Sequence, residues 1–213
     1  MKEIINNHYL VQNAIDEVML IYSDEHITTY TENTMRGEGV LSITINPGNN
    51  VTFYTLENEI FGEIACNEDL VFTVQMPAEI IARRVVPNND FAAFQFDADT
   101  PRETDEFIYI YINKQKLKVQ KNAVNYSYLP WTEYVNAQII SAKPYNKLHI
   151  DENGKDVLLD DDVERVFKIT EIRDDIMQLT STVSGCCGHS GKFIDGQVRW
   201  KHENILLVNF TID

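Results

Sequence analysis

The chain has 213 residues, of which 44% are hydrophobic, 10% aromatic and 24% charged, and its formal net charge is −15. This composition is typical of a folded protein with one large or two small domains, and it excludes wholesale disorder. So much negative charge repels phosphate backbones, so general nucleic-acid binding is not expected. Solubility accounts for the charge, and a basic partner or bound cations are the alternative explanations.

No apolar run approaches the roughly 20 residues that a membrane-spanning helix needs. The N-terminal stretch MKEIINNHYL lacks the apolar core of a signal peptide. The three cysteines, Cys66, Cys186 and Cys187, form an odd set with two adjacent members, which is not a disulfide framework. We therefore expect no membrane span and no signal peptide, in a protein that is cytoplasmic or assembled into a particle.

The chain begins with one predicted helix and continues with short strands. The helix covers residues 7–22, where apolar residues recur at the spacing of one broad face: Leu10, Val11, Ala14, Ile15, Val18, Met19 and Tyr22. From residue 27 to residue 98, short apolar runs bounded by Asn, Asp, Pro or Gly are typical of strands. Residues 40–56 are predicted to form a hairpin around the turn Asn46–Asn49, because proline and glycine favour a turn there.

The stretch 106–120, EFIYIYINKQKLKVQ, is predicted to be the central hairpin of the fold. In its first strand Phe107, Tyr109 and Tyr111 alternate with Ile108, Ile110 and Ile112, so we expect both faces to be covered. The second strand is expected to be half exposed. Its lysines Lys116 and Lys118, with Lys114 before them, are expected to protect an edge strand against unwanted pairing.

The second half of the chain is predicted to hold further short strands, the first over residues 134–141. Their close spacing suits a small SH3-like barrel. Turn formers and Pro130 in residues 122–133 favour a seam between two domains. The predicted fold is therefore mainly β, an antiparallel sandwich or barrel with one N-terminal amphipathic helix. We expect two domains, residues 1–125 and 126–213, with a single domain as the alternative.

Two groups of residues are candidates for binding a partner protein. Four aromatic residues gather at the predicted seam, where they form inter-domain core or, if exposed, anchor a partner: Tyr126, Tyr128, Trp131 and Tyr134. The acidic run Asp160, Asp161 and Asp162 is a solvated loop or a docking surface for a basic partner. A second acidic stretch, residues 97–106, lacks the spacing of a calcium loop, so a solvated loop is the better interpretation.

The glycine-rich segment 184–192, SGCCGHSGK, is similar to a phosphate-binding loop but does not fit its pattern. That pattern needs glycine where Cys186 stands and Ser or Thr where Phe193 stands. The favoured interpretation is a glycine-rich loop between two strands, whose small cysteines are half-buried apolar side chains. A zinc site is one alternative, although no C-x-x-C pair begins it; its ligands would come from Cys66, Cys186, Cys187, His189 and His202. A reactive thiolate–imidazole pair of Cys186 and His189 is the other alternative. No cofactor is predicted.

Three classes of function follow from these patterns. The leading prediction is a non-catalytic structural or interaction protein, a subunit of a larger assembly such as a viral or phage particle. It rests on the many hairpins, the acidic surface and the lack of a recognised catalytic motif that would bring a histidine, a carboxylate and a nucleophile to one site. One alternative is an acidic binding or inhibitor module that covers a basic partner surface. The other is a metal- or thiol-dependent enzyme centred on Cys186, His189 and His202.

Overall fold

The structure is a computed structural model that describes residues 17–20, 34–69, 71–75, 83–87, 92–112, 115–142, 166–182 and 195–211. These residues are mostly antiparallel β with little helix, as the alternating apolar pattern predicts. The strands are β1 (Glu17–Leu20), β2 (Gly39–Ile45), β3 (Asn50–Tyr54), β4 (Ile60–Cys66), β5 (Phe72–Gln75), β6 (Arg84–Pro87), β7 (Ala92–Ala98), β8 (Phe107–Ile112), β9 (Gln115–Gln120), β10 (Asn125–Pro130), β11 (Ile139–Ala142), β12 (Val166–Arg173), β13 (Ile176–Thr182), β14 (Asp195–Arg199), β15 (Lys201–His202), β16 (Ile205–Leu206) and β17 (Val208–Thr211). A 3-10 helix covers Lys121–Ala123, and the α-helix α1 covers Trp131–Asn136.

The chain forms two compact units, the first of Met1–Glu32 with Arg36–Trp131 and the second of Asn33–Met35 with Thr132–Asp213. The stretch before Pro130, which was expected to be a seam, is strand β10 in the sheet of the first unit. The division into independent domains, residues 1–125 and 126–213, stays a prediction. Limited proteolysis tests it, because linkers between domains are cut first.

The first unit contains a ten-stranded antiparallel sheet. Its strand order is β1-β5-β4-β3-β9-β8-β7-β2-β10, and β6 pairs with the first half of β7. Side chains from one face of six of these strands form a single hydrophobic core. The sheet is strongly curved, because β3 and β7 are separated by two strands and yet the rings of Phe53 and Phe96 meet edge to face, with centroids 5.5 Å apart. Burial of each such ring stabilises the fold by about 1.5–3 kcal/mol.

The hairpin predicted for residues 40–56 is wrong, although both of its strands are present. β2 pairs with β7 and β10, whereas β3 pairs with β4 and β9. The turn after Asn46 has the expected glycine geometry, since Gly48 has φ +76°. It carries the chain to a different part of the sheet, and the amide of Gly48 donates to the carbonyl of Cys66 at the end of β4.

The central hairpin of β8 and β9 is confirmed, with Tyr109 opposite Lys118 and Tyr111 opposite Lys116. The isoleucines of β8 are buried in the core, but Phe107, Tyr109 and Tyr111 are only half buried on the other face. The isoleucine face of β8 is therefore fully covered, and its aromatic face is only partly covered. That face carries rings and lysines side by side.

The second unit contains a five-stranded antiparallel sheet in the order β14-β13-β12-β11-β17, together with the short pair β15 and β16. A turn at Asp174 joins β12 to β13, and Asp174 has φ +51°. The buried Trp200 holds this turn, because its indole N–H donates to the carbonyl of Asp174 at 2.9 Å and its amide donates to the carbonyl of Asp175 at 2.8 Å.

The strand predicted after the seam has a different structure. The strand expected over residues 134–141 is divided, because α1 takes its first part and β11 its second. Trp131, Tyr134 and Val135 are the buried residues of α1, at the i, i+3 and i+4 spacing of one helix face.

Within the described ranges no helix is long and apolar enough to cross a membrane.

The N-terminal helix predicted over residues 7–22 is not supported. Its only described part, Glu17–Leu20, is strand β1, which pairs antiparallel with β5. Residues 7–16, 21 and 22 lie outside the described residues. The periodicity of a short apolar run does not by itself distinguish helix from strand, and here pairing with β5 supplies partners for the backbone.

Candidate functional site

Strand β10 lies at one end of the strand order in the first sheet. It pairs with β2 from Asn125 opposite Thr44 to Pro130 opposite Gly39, and among the described strands β2 is its only neighbour. The amide of Trp131 continues the ladder by donating to the carbonyl of Glu38 at 3.3 Å. Hydrogen-bonded pairs alternate along an antiparallel ladder, so Leu129, Ser127 and Asn125 also direct their backbone groups toward β2. The backbone groups of Tyr126, Tyr128 and Pro130 therefore point away from the sheet.

The outer surface of β10 is uncharged. Residues 122–132, NAVNYSYLPWT, contain no acidic or basic side chain, in a chain with a net charge of −15. Asn125, Ser127, Leu129 and Pro130 are exposed, and Leu129 retains 38% of its accessible surface. This edge therefore offers backbone donors and acceptors with no charged side chain to repel another strand.

The tyrosine rings of β10 hold the strand on the sheet. Tyr126 and Tyr128 are half buried and pack against the hydrophobic core of the first unit. The Tyr128 ring lies over Gly39: a β-carbon added to that glycine would be 2.6 Å from the tyrosine hydroxyl oxygen and would collide with the carbonyl oxygen of Leu129. Because residue 39 has no side chain, β10 can lie this close to β2.

The hydroxyl of Tyr128 joins β10 to the loop after β7. It lies 3.0 Å from Oγ1 of Thr100, and the amide of Thr100 donates to Oε2 of Glu38 at 3.1 Å. Hydrogen bonds from Thr100 hold the pKa of the exposed Glu38 below its usual value, and burial raises the pKa of Tyr128. The strand is thus fixed by both apolar and polar contacts.

The end of β10 is anchored by a buried ion pair. Trp131, which is 8% exposed, has its ring centroid 4.7 Å from the guanidinium carbon of Arg83, and its indole N–H donates to the carbonyl of Arg36 at 3.4 Å. Arg83 is paired with Asp97, which also accepts from the amide of Arg36 at 2.8 Å. Burial raises the pKa of Asp97, while the hydrogen bonds from Arg83 oppose that rise.

These positions locate the four aromatic residues that were predicted to gather at the seam. Tyr126 and Tyr128 are half buried and Trp131 is buried, all within the first unit. Tyr134, which is 2% exposed, belongs to the second unit. Most of the ring surface is therefore used for packing, and the accessible part of β10 is its backbone edge and its alternate, smaller side chains. The role of the four residues in binding a partner stays a prediction.

The interpretation that the lysines of the central hairpin protect an edge strand is wrong for Lys118, whereas Lys116 lies beyond the last residue of β9 that pairs with β3 and Lys114 lies outside the described residues. β9 lies between β8 and β3, so Lys118 is inside the sheet; it is only 6% exposed and donates to the Leu56 carbonyl at 2.9 Å. Its Nζ lies 4.7 Å from the ring centroid of Phe107, and Nζ of Lys116 lies 5.1 Å from that of Tyr109. The lysines cover the aromatic face of the central hairpin by cation–π contacts.

The acidic stretch 97–106, which begins in β7, is held by basic side chains. Asp97 pairs with Arg83, and Asp99 accepts from Lys116 at 2.5 Å and from the Tyr111 hydroxyl at 3.0 Å. Within the described part of the chain, no group of three or more His, Cys, Asp or Glu residues is placed to hold a metal ion. Asp97 and Asp99 therefore serve as ion-pair partners inside the first unit.

A groove of about 430 Å³ opens at the far end of β10. Asparagine side chains dominate its lining: Asn46, Asn49, Asn50, Asn122 and Asn125. The side-chain Nδ2 of Asn50 donates to Oε2 of Glu63 at 2.8 Å. The groove is polar and uncharged, and its lining includes no titratable group. It provides hydrogen bonds, with nothing to act as a general acid or base.

The remaining candidate residues are not brought together in the part of the chain that the structure describes. Asp160, Asp161, Asp162, Cys186 and His189 lie outside the described residues. His202 is exposed on β15, opposite Ile205. Cys66, the cysteine from the first half of the chain, is buried in the core, and burial raises the pKa of its thiol. The acidic-module and enzyme alternatives therefore stay predictions.

No protein-family model matches the chain, and neither a curated protein nor a solved structure matches it. The geometry around β10 is therefore the basis for assigning a function. Sequence reasoning missed this edge because Pro130 and the turn formers before it favour a loop. The alternation of Tyr126 and Tyr128 with Asn125 and Ser127 was the signal that could have identified the strand.

Proposed function

We propose that the protein is a non-catalytic structural or interaction protein that acts as a subunit of a larger assembly, such as a viral or phage particle. β10 is the edge through which it joins other subunits. The observation that carries this proposal is an exposed, uncharged edge strand whose tyrosine amides and carbonyls point outward. An edge of this kind is a template for adding a strand from another chain.

Edge strands of proteins that remain monomeric are usually protected by lysine, by inward-pointing charge, by proline or by a bulge. β10 has only Pro130 among these devices, and that proline stands at the end of the strand. The register with β2 is continuous from Asn125 to Pro130, without a bulge. Lysine is used elsewhere in the same unit to cover aromatic rings, so the lack of charge on this edge favours a role in pairing.

Preorganisation also supports the proposal. The strand is held by the rings of Tyr126 and Tyr128, by the close approach at Gly39 and by the Trp131–Arg83 contact. A binding edge that is already ordered loses little conformational entropy when a partner binds. These contacts suit a preformed docking surface, since every one of them fixes the backbone of β10 without using its outward-facing groups.

The finer architecture and the location belong to the same proposal. We propose a sandwich-like arrangement in the first unit and a small SH3-like barrel in the second. The protein would act in the cytoplasm or within the assembled particle. The partners would be other protein subunits, either copies of this chain or different chains.

The experiment is to measure molar mass by size-exclusion chromatography with light scattering over a wide concentration range, and to recover partners of the tagged chain from its native source. Ser127→Lys with Leu129→Lys puts two charges on the exposed side of β10, and Ile60→Lys adds a charge at a residue that is 72% exposed and outside β10. We expect the β10 variant to lose assembly and the Ile60 variant to keep it. A chain that is monomeric at every concentration and recovers no partner would contradict the proposal.

A further inference from the structure

The outward groups of β10 are arranged symmetrically about Ser127. Tyr126 and Tyr128 each direct one amide and one carbonyl away from β2, and Ser127, between them, directs its own toward β2. When a second β10 lies antiparallel with its Ser127 opposite the first, each Tyr126 faces the Tyr128 of the other copy. Every amide and carbonyl of the four tyrosines then has a reciprocal partner. A two-fold axis through Ser127 generates this arrangement.

We infer that β10 is self-complementary and that two copies of the chain pair antiparallel through it, with Ser127 opposite Ser127. This inference rests on the proposed function and names a second copy as the partner at the edge. Homo-oligomers most often use such two-fold interfaces, in which the same surface serves both chains.

Charge favours a second copy at this surface. The chain as a whole is strongly acidic, so most approaches of two copies bring like charges together. The uncharged stretch 122–132 is a surface at which two copies can approach each other without that repulsion. Antiparallel pairing about Ser127 also places the exposed Leu129 of each copy opposite Asn125 of the other, so no charged side chain faces another in the ladder.

The side chains at the axis fit the pairing. Ser127 forms a pair without hydrogen bonds in the new ladder, where the two Cα atoms approach to about 4.5 Å. A small hydroxyl side chain is accommodated at that distance. Pro130 has no amide to donate, and in this register it lies just beyond the paired residues 125–129, so the ladder within them loses no hydrogen bond. Five residues from each copy make a small contact, so we expect association that is weak and favoured by concentration.

The register can be tested by disulfide cross-linking in a full-length chain with Cys186→Ser and Cys187→Ser. A Cα separation of about 4.5 Å lies within the range of a disulfide, so Ser127→Cys is expected to form a covalent dimer rapidly under mild oxidation. Asn125→Cys and Leu129→Cys are the matched controls. Each lies roughly 14 Å from its own counterpart in this register, at about 3.4 Å per residue, so neither alone should cross-link.

A mixture of the two control variants gives an independent check. Asn125 of one copy lies opposite Leu129 of the other, so Asn125→Cys mixed with a tagged Leu129→Cys chain should form the mixed dimer selectively. Circular dichroism of each variant verifies that it is folded. Ser127→Cys cross-linking no faster than either control, or a homodimer formed selectively by Asn125→Cys, would overturn the inference. If light scattering still shows oligomers of the wild-type chain in that case, the assembly proposal stands and only self-pairing through β10 fails.

Discussion

The guanidinium group of Arg83 and the carboxylate of Asp97 form a bidentate ion pair inside the first unit, where their side chains are only 2% and 3% exposed. Nε contacts Oδ1, and Nη2 donates to Oδ2 at 2.7 Å. Removing one partner leaves a buried charge without compensation, which costs about 3–5 kcal/mol. We therefore expect Arg83→Met or Asp97→Asn to lower the free energy of unfolding by about that amount, measured by urea denaturation.

The double variant Arg83→Met with Asp97→Leu tests whether the two residues stabilise the fold as a pair or as two independent charges. Replacing both members of a buried ion pair by apolar groups is often close to neutral, so its loss should be much smaller than the sum of the two single losses. Arg173→Met is the matched control, because Arg173 pairs with Glu171 on the surface and exposed pairs contribute about 0–1 kcal/mol. If the loss of unfolding free energy in the double variant equals the sum of the two single losses, Arg83 and Asp97 act independently.

Gly39→Ala is expected to displace the edge strand. The added methyl group would collide with the carbonyl of Leu129 and lie against the ring of Tyr128, so β10 must move away from β2. Overpacking of this kind costs about 1–3 kcal/mol. Hydrogen exchange should show faster exchange for the β10 amides that face β2, those of Asn125, Ser127 and Leu129.

Ser42→Ala is the control for that change, since Ser42 lies on the same strand opposite Ser127 and its substitution adds no atom. Its exchange pattern in β10 should match that of the wild-type chain. If Gly39→Ala leaves the β10 amides equally protected, the close approach at residue 39 does not determine where the strand lies.

The strands of this fold could be predicted from sequence because alternation is a local property. Ile108, Ile110 and Ile112 in β8 are buried in the core, and their spacing alone identifies the strand. Pairing is not local. Residues 40–56 have the pattern of a hairpin, and the strands within them nevertheless pair with β7, β10, β4 and β9. The sheet curves so that these more distant partners share one core, and no window of sequence contains that information.

The contacts around β10 could not be predicted from the sequence for the same reason, because they join residues that are far apart along the chain. Arg83 and Asp97 are 14 residues apart, and the ring that covers Arg83 belongs to Trp131. The lysines of β9 were interpreted as edge protection because strand position cannot be derived from composition. Trp131, Tyr134 and Val135 do have helix spacing, but the segment is only six residues long, which is too short for periodicity to outweigh the strand-like residues after it.

The contact between Lys116 and Asp99 predicts a loss of stability at alkaline pH. The hydrogen bond to Asp99 raises the pKa of Lys116, and burial raises the pKa of the neighbouring Tyr111. The folded state binds the proton of each group more tightly than the unfolded state does. The contribution of each group to the free energy of unfolding is therefore fully present below its ordinary pKa, near 10, and is lost as pH rises through the raised pKa. Unfolding free energies from pH 8 to about pH 11 should therefore fall at the upper end of that range.

Asp99→Asn is the matched variant for this prediction. It removes the charge that holds the proton on Lys116, so the alkaline decline should become shallower while stability near pH 7 changes little, because the pair is partly exposed and such pairs contribute about 0–1 kcal/mol. An identical decline in the variant would show that the Lys116–Asp99 contact does not control the alkaline behaviour.

Cys66 should be an unreactive thiol. It is 3% exposed within the hydrophobic core, its Sγ lies 3.5 Å from the carbonyl oxygen of Asn67, and burial raises its pKa. The thiolate is the nucleophile, so a raised pKa and restricted access both slow alkylation. In a chain with Cys186→Ser and Cys187→Ser, we expect iodoacetamide to label Cys66 slowly at pH 7, with a rate that rises only at higher pH, and to label it rapidly in urea.

The same measurement on chains that keep Cys186 separates the assembly proposal from the enzyme alternative. A thiol activated by His189 would have a lowered pKa and would label quickly near neutral pH, far ahead of Cys66 in the same chain. His189→Ala would then return the rate to that of an ordinary thiol. We expect no such enhancement in a non-catalytic subunit, so fast labelling of Cys186 that depends on His189 would favour chemistry at this loop over a purely structural role.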